Sequence, residues 1–129
     1  MSLRKDRVRI LGFVKKRDDL SQEEFEHRWL QHADIFPSIA IAQKNVLKYE
    51  QMHKNQEICG MLEGFRLSGP RCDGIALMEF ESYEKFLEIF EDEEYKNVVL
   101  PDELEFIDRP NCTTLAFNFA TVLDKERSE

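Results

Sequence analysis

The chain has 129 residues, 42% of them apolar and 34% charged, with 10 phenylalanines and a formal net charge of −8. That length supports one domain around one modest, phenylalanine-rich core, with the balance of an ordinary soluble protein. The acid excess excludes a nucleic-acid partner, which needs a basic face, and no apolar run is long enough to span a membrane.

The N-terminus MSLRKDRVRILGFVKK has no uninterrupted apolar run and no cleavage site. It therefore predicts a cytoplasmic protein without a signal peptide. Cys59, Cys72 and Cys112 are odd in number and lack metal-ligand spacing, so they read as reduced thiols. No repeat or linker divides the chain. A single domain over 1–129 is expected, with a core of about 8–123 and frayed charged ends at 1–6 and 124–129.

Val8 to Lys15 alternates as a strand, and Asp18 to Leu20 turns. Ser21 with Glu24 three residues later forms a capping box that starts the first helix, which Pro37 ends or bends. Asn45 to Lys54 alternates again, placing Leu47, Tyr49, Gln51 and His53 on one face of a second strand. Residues 55–72 carry Gly60, Gly64, Gly69 and Pro70 and read as a long connection. Asp73 to Glu81 is a strand apolar on both faces, and Ser82 caps a second helix. On that helix Tyr83, Phe86, Leu87 and Phe90 fall at half-buried spacing. Asp92 to Asp108 is acidic and irregular, with Pro101 placed to open one helical turn. Thr113 to Leu123 is the last strand.

The order β-α-β-β-α-β predicts an α+β, ferredoxin-like fold: a four-stranded antiparallel sheet with two helices on one face. Ile75, Ala76, Leu77 and Met78, with Leu115, Ala116, Phe117, Ala120 and Val122, leave neither face of the last two strands polar. Sheets buried on both sides read this way, and no spare element remains to cover the second face. A homodimer with its sheets packed face to face is the simplest cover.

His32 stands out in this plan, three residues after Trp29 and four before Phe36, inside the apolar stripe of the first helix with Phe25. An imidazole there is either a hydrogen-bonded core histidine or an acid–base group with a tuned proton affinity. His27 and His32 are five apart and diverge by about 140° on a helix, so they make no metal pair. No phosphate loop, nucleophile elbow or activated thiolate is recognisable, and no metal site is expected.

Several features follow one another in a specific order. Ser21-Gln22-Glu23-Glu24-Phe25 opens the first helix, and His32-Ala33 sits on it. Tyr49 and His53 lie four apart in the second strand, and Asp73 opens the third. Tyr95-Lys96, Val99, Pro101-Asp102, Phe106 and Asp108 come last. Over roughly residues 8–123 this resembles the EthD-like family of dimeric α/β-barrel proteins, close to the fungal polyketide-tailoring decarboxylases. The resemblance implies a pocket between sheet and helices and activity without metal or organic cofactor. It further implies a small aromatic polyketide substrate and favours His32 as a catalytic acid/base. Decarboxylation of a hydroxylated aromatic acid is the first choice. Cyclisation, dehydration or cofactor-free oxygenation is the alternative within enzymes, and sequestration of an aromatic ligand without catalysis is the alternative outside them.

The remaining candidates each have two readings. His53 and Asp73 come near one another where the second strand ends and the third begins, either as a catalytic pair, with Asp73 orienting His53, or as a surface polar cluster. Tyr49 either bonds a ligand oxygen or is half-buried with a wet hydroxyl. Trp29, Phe25 and Phe36 line an aromatic pocket or simply pack the core. Asn118, a polar break in the last strand, faces the pocket or a dimer contact.

Overall fold

The computed structural model describes residues 1–126; residues 127–129, part of the tail expected to fray, lie outside the described residues. The strands are β1 (Val8–Val14), β2 (Val46–His53), β3 (Gly74–Phe80) and β4 (Thr113–Phe117). The helices are α1 (Gln22–His32), α2 (Ala40–Asn45), α3 (Gln56–Gly64), α4 (Tyr83–Glu91) and α5 (Leu100–Glu103). Short 3-10 turns at Phe36–Ser38 and Arg109–Asn111 and a π turn at Tyr95–Val99 connect them. The sheet runs β2-β3-β1-β4 and every pairing is antiparallel, as the ferredoxin-like plan requires. No helix among the described residues is long and apolar enough to cross a membrane.

Local chemistry explains the main elements. The Ser21 hydroxyl accepts from the Glu24 amide at 3.1 Å while the Glu24 carboxylate accepts from the Ser21 amide at 2.9 Å, so two otherwise orphaned donors start α1 satisfied. Ser82 caps α4 by a single bond, its hydroxyl accepting from the Lys85 amide at 3.3 Å. Pro37 and Pro101 sit in the first turn of the Phe36–Ser38 segment and of α5, where a missing N–H leaves nothing unpaired.

Four expectations need correction. The connection at 55–72 contains α3, capped by the Asn55 side chain on the Ile58 amide; Gly60 and Gly64 sit in this helix, which buries none of its residues, and Gly69 follows it. The segment after Pro37 winds into α2 before β2 begins. Leu47 leaves the Tyr49 face because it is the extra residue of a bulge between Val46 and Lys48, and it is exposed. β4 ends at Phe117, so Asn118, Ala120 and Val122 lie outside the sheet.

The core lies between the helices and one sheet face, in two clusters. Ile10, Phe80, Phe86, Ile89, Tyr95 and Val99 dominate the larger, and Val14, Phe25, Trp29 and Phe106 form the smaller. Burying each of the large side chains contributes about 1.5–3 kcal/mol. The other sheet face carries Leu11, Phe13, Ile75, Leu77, Leu115 and Phe117, alternating with the inward residues by register.

On that outer face Glu79 is almost fully enclosed, its side chain 3% exposed. Arg7 donates to one carboxylate oxygen at 2.7 Å and Arg9 to the other at 2.6 and 2.9 Å, with Arg9 stacked over Phe119. Burial works to raise the Glu79 carboxyl, but the two guanidinium groups outweigh it and hold it below its ordinary value. A depressed carboxylate adds stability that is complete above the ordinary glutamate range and is lost as pH falls through the native value. Glu79→Gln is therefore expected to lower stability by about 1–2 kcal/mol at neutral pH and to flatten the loss below about pH 4. Urea titrations at neutral and acid pH check both.

Candidate active site

A cavity of about 230 Å³ opens between the inner sheet face, α1, α4 and the π turn. Trp29, Phe36, Phe80, Phe86 and Phe90 give it aromatic walls, and His32, Tyr49, Tyr95, Glu103 and Arg109 give it a few polar groups. An apolar cleft with few convergent polar atoms suits a small aromatic molecule.

His32 is the last residue of α1 and 5% exposed, with its ring edge-on to Phe106. Its Nδ1 lies 2.7 Å from Asp102 Oδ2, the distance of a charge-assisted hydrogen bond. The other Asp102 oxygen accepts from Arg28 Nη2 at 3.3 Å. Arg28 precedes His32 by four residues on the same helix and also pairs with Glu105, so one turn of α1 meets one turn of α5. With Nδ1 held by Asp102, Nε2 has no hydrogen-bond partner among the described residues and is the nitrogen left for a ligand in the cavity. A carboxylate that fixes the tautomer and angle of an imidazole suits acid–base work at the opposite nitrogen.

Beside this pair stands a second polar group. The Tyr95 hydroxyl donates to the Glu103 carboxylate at 3.0–3.1 Å, and Arg109 Nη1 lies 3.8 Å from the same carboxylate. Burial pushes the Glu103 carboxyl up, against the pull of Arg109, His32 and the Tyr95 hydroxyl. Burial and the Glu103 charge together push Tyr95 well above the ordinary phenol value, so it stays a donor. Tyr49 is also raised by burial. Gln51 Nε2 approaches its oxygen at 3.5 Å, and the Tyr49 hydroxyl donates to no group among the described residues.

The cavity brings His32, Trp29, Phe36 and Tyr49 together, and the other candidates fall elsewhere. Phe25 lies behind Trp29, fully buried between it and Phe106, and has no cavity face. His53 stacks on Trp29 with ring centroids 4.5 Å apart, and its Nε2 is bonded to Gln51 Oε1 at 2.8 Å. Asp73 does not pair with His53. Because His53 pairs with Gly74, Asp73 falls one residue past the pairing, where its carboxylate accepts from the Lys16 amide at 2.8 Å and its own amide donates to the Val14 carbonyl. It secures the end of β1. Asn118 is exposed beyond β4 and does not line the cavity.

Asp102, Glu103, Tyr95 and Arg109 escaped the reading of the sequence as site residues. A signal was present: Pro101 opening a turn and two acids directly after it put both carboxylates on the first turn of α5. A single-turn helix has no periodicity to show which neighbour those carboxylates meet.

The sequence profile of the EthD domain matches residues 17–110. No curated protein sequence matches the chain. A dimeric protein of unknown function with a ferredoxin-like fold from Bacteroides fragilis superposes with a TM-score of 0.64 at 13% identity, covering 92% of this chain and all of that one. A hydroxynitrile lyase from Passiflora edulis gives 0.60 at 14% identity, covering 94% of this chain and all of that one. SnoaB, a cofactor-independent oxygenase from Streptomyces nogalater, gives 0.52 at 12% identity, covering 95% and 99%.

Proposed function

The chain belongs to the EthD domain family, and from that membership we propose that it is an enzyme tailoring small aromatic polyketides, with decarboxylation of a hydroxylated aromatic acid as its reaction. The observation that carries the reading is His32, oriented by Asp102 at 2.7 Å with Nε2 left to an aromatic-walled cavity. The walls strip water from the substrate carboxylate, which weakens its hold on its charge. In its imidazolium form His32 donates through Nδ1 to Asp102 and delivers the Nε2 proton to the ring carbon bearing the carboxylate. The carbon–carbon bond then breaks, its electron pair returns to the ring, and carbon dioxide leaves. This scheme draws on no cofactor.

A second reading, cofactor-free oxygenation, draws support from the structural likeness to SnoaB. Incubating the protein with a panel of hydroxylated benzoic and anthraquinone acids, with and without dioxygen, separates the two. Decarboxylation releases carbon dioxide equally under both conditions; a product that gains oxygen and needs dioxygen replaces the lyase reading. Saturable binding without turnover of any panel member leaves an aromatic-binding protein.

The same reading includes a homodimer. Leu115 and Phe117 on the outer sheet face are 53% and 40% exposed, and the B. fragilis protein of like fold is dimeric. Sedimentation velocity is expected to give the mass of two chains.

A further inference from the structure

We propose that Glu103 is a second catalytic residue and the one that selects the substrate class: it accepts the hydrogen of a ring hydroxyl, so the cavity takes a phenolic acid in preference to its methyl ether. The proposal rests on the reading above for its chemistry and on the cavity wall for its geometry.

Glu103 faces the cavity with its side chain 16% exposed, directly after Asp102, so α5 presents one carboxylate to His32 and the next to the ligand space. Tyr95 has one hydroxyl hydrogen and spends it on this carboxylate. Arg109 stands 3.8 Å away, too far for a hydrogen bond, and its Nη1 is buried without a partner. The carboxylate therefore keeps acceptor capacity, and no donor besides Tyr95 bonds it among the described residues. The charged or titratable groups around it are His32, Tyr49, Tyr95, Asp102, Arg109 and Cys112. Burial raises Glu103, which brings its proton affinity closer to that of a phenol losing its hydrogen.

The proton count closes. As His32 Nε2 gives its proton to the ring carbon, Glu103 takes the proton of the conjugated hydroxyl, and that carbon–oxygen bond becomes a carbonyl. Loss of carbon dioxide returns the bonding pair to the ring, and Glu103 hands its proton back to the oxygen. Solvent restores the proton to His32. Tyr95 and Arg109 act through Glu103 and are positioning residues.

Trp29 is the single tryptophan and lines the cavity, so its fluorescence reports binding without turnover. The probes are β-resorcylate and its di-O-methyl ether. Wild type is expected to bind the phenol about tenfold more tightly, the value of one hydrogen bond to a charged acceptor. Glu103→Gln, which keeps the shape, is expected to reduce the ratio to about twofold. In turnover, kcat/KM falls on the acid side as Glu103 gains its proton. Glu103→Gln removes that limb, whereas Tyr95→Phe, which deletes a donor to the carboxylate, moves it to higher pH. Equal binding of the two probes by wild type, binding of neither, or an unchanged ratio in Glu103→Gln overturns the proposal. A preserved ratio in wild type with no turnover of any acid sinks the decarboxylase reading and the catalytic role of Glu103 with it, and leaves Glu103 as the residue that selects the phenol.

Discussion

His32→Gln is expected to lower turnover by about two to four orders of magnitude while the protein stays folded. The size follows from what the imidazole would supply in the proposed reaction, a proton placed at one carbon by a ring whose other nitrogen is fixed at 2.7 Å from Asp102. Glutamine fills similar space beside Phe106 and can still meet Asp102, so packing is largely kept while the transferable proton is lost. Asp102→Asn separates orientation from proton supply. It leaves His32 in place but removes the charge that fixes it and that pairs with Arg28, so kcat falls by about tenfold or more with little change in KM. Full activity in His32→Gln would show that the acid lies elsewhere. An equal collapse of melting temperature and activity would return His32 to the role of a core residue.

That pair also shows where the sequence was legible. The fold was readable because its signals are local: a capping box at Ser21, alternation in β1 and β2, the apolar run of β3 and the apolar spacing of α4. His32 was readable because an imidazole within an aromatic stripe breaks a pattern. Its partner was harder, since Asp102 lies 70 residues away on a helix of one turn. Strand order brings Asp73 near His53 and so suggests an orienting carboxylate, but strand order does not fix register. One residue of register sent it to the Lys16 amide instead. Phe25 failed for a related reason. Helical spacing places it on the same face as Trp29, which does not show that it stacks behind the indole while the indole takes the cavity side.

The second large effect is expected at a residue packed against the cavity wall. Gly74→Ala should destabilise the protein by about 3 kcal/mol and lower the melting temperature by about 10 °C. A Cβ at Gly74 would lie 2.4 Å from Trp29 Cζ3, 2.7 Å from Cη2 and 2.9 Å from the Met52 carbonyl oxygen. The indole is 2% exposed and held between Phe25 and His53, so it can give only by moving into the cavity it lines. The carbonyl cannot retreat, since Met52 belongs to the β2–β3 ladder. Gly12→Ala is the control: on the neighbouring strand its Cβ would meet nothing nearer than 3.8 Å, and it should change stability by less than about 1 kcal/mol. The two crowded indole atoms belong to the part of the ring that phenylalanine lacks, so Trp29→Phe should recover part of the Gly74→Ala loss, giving a favourable coupling of about 1 kcal/mol or more in a double-mutant cycle. Additive losses would move the strain from the indole to the Met52 carbonyl, and the wall of the cavity would then owe its position to the sheet alone.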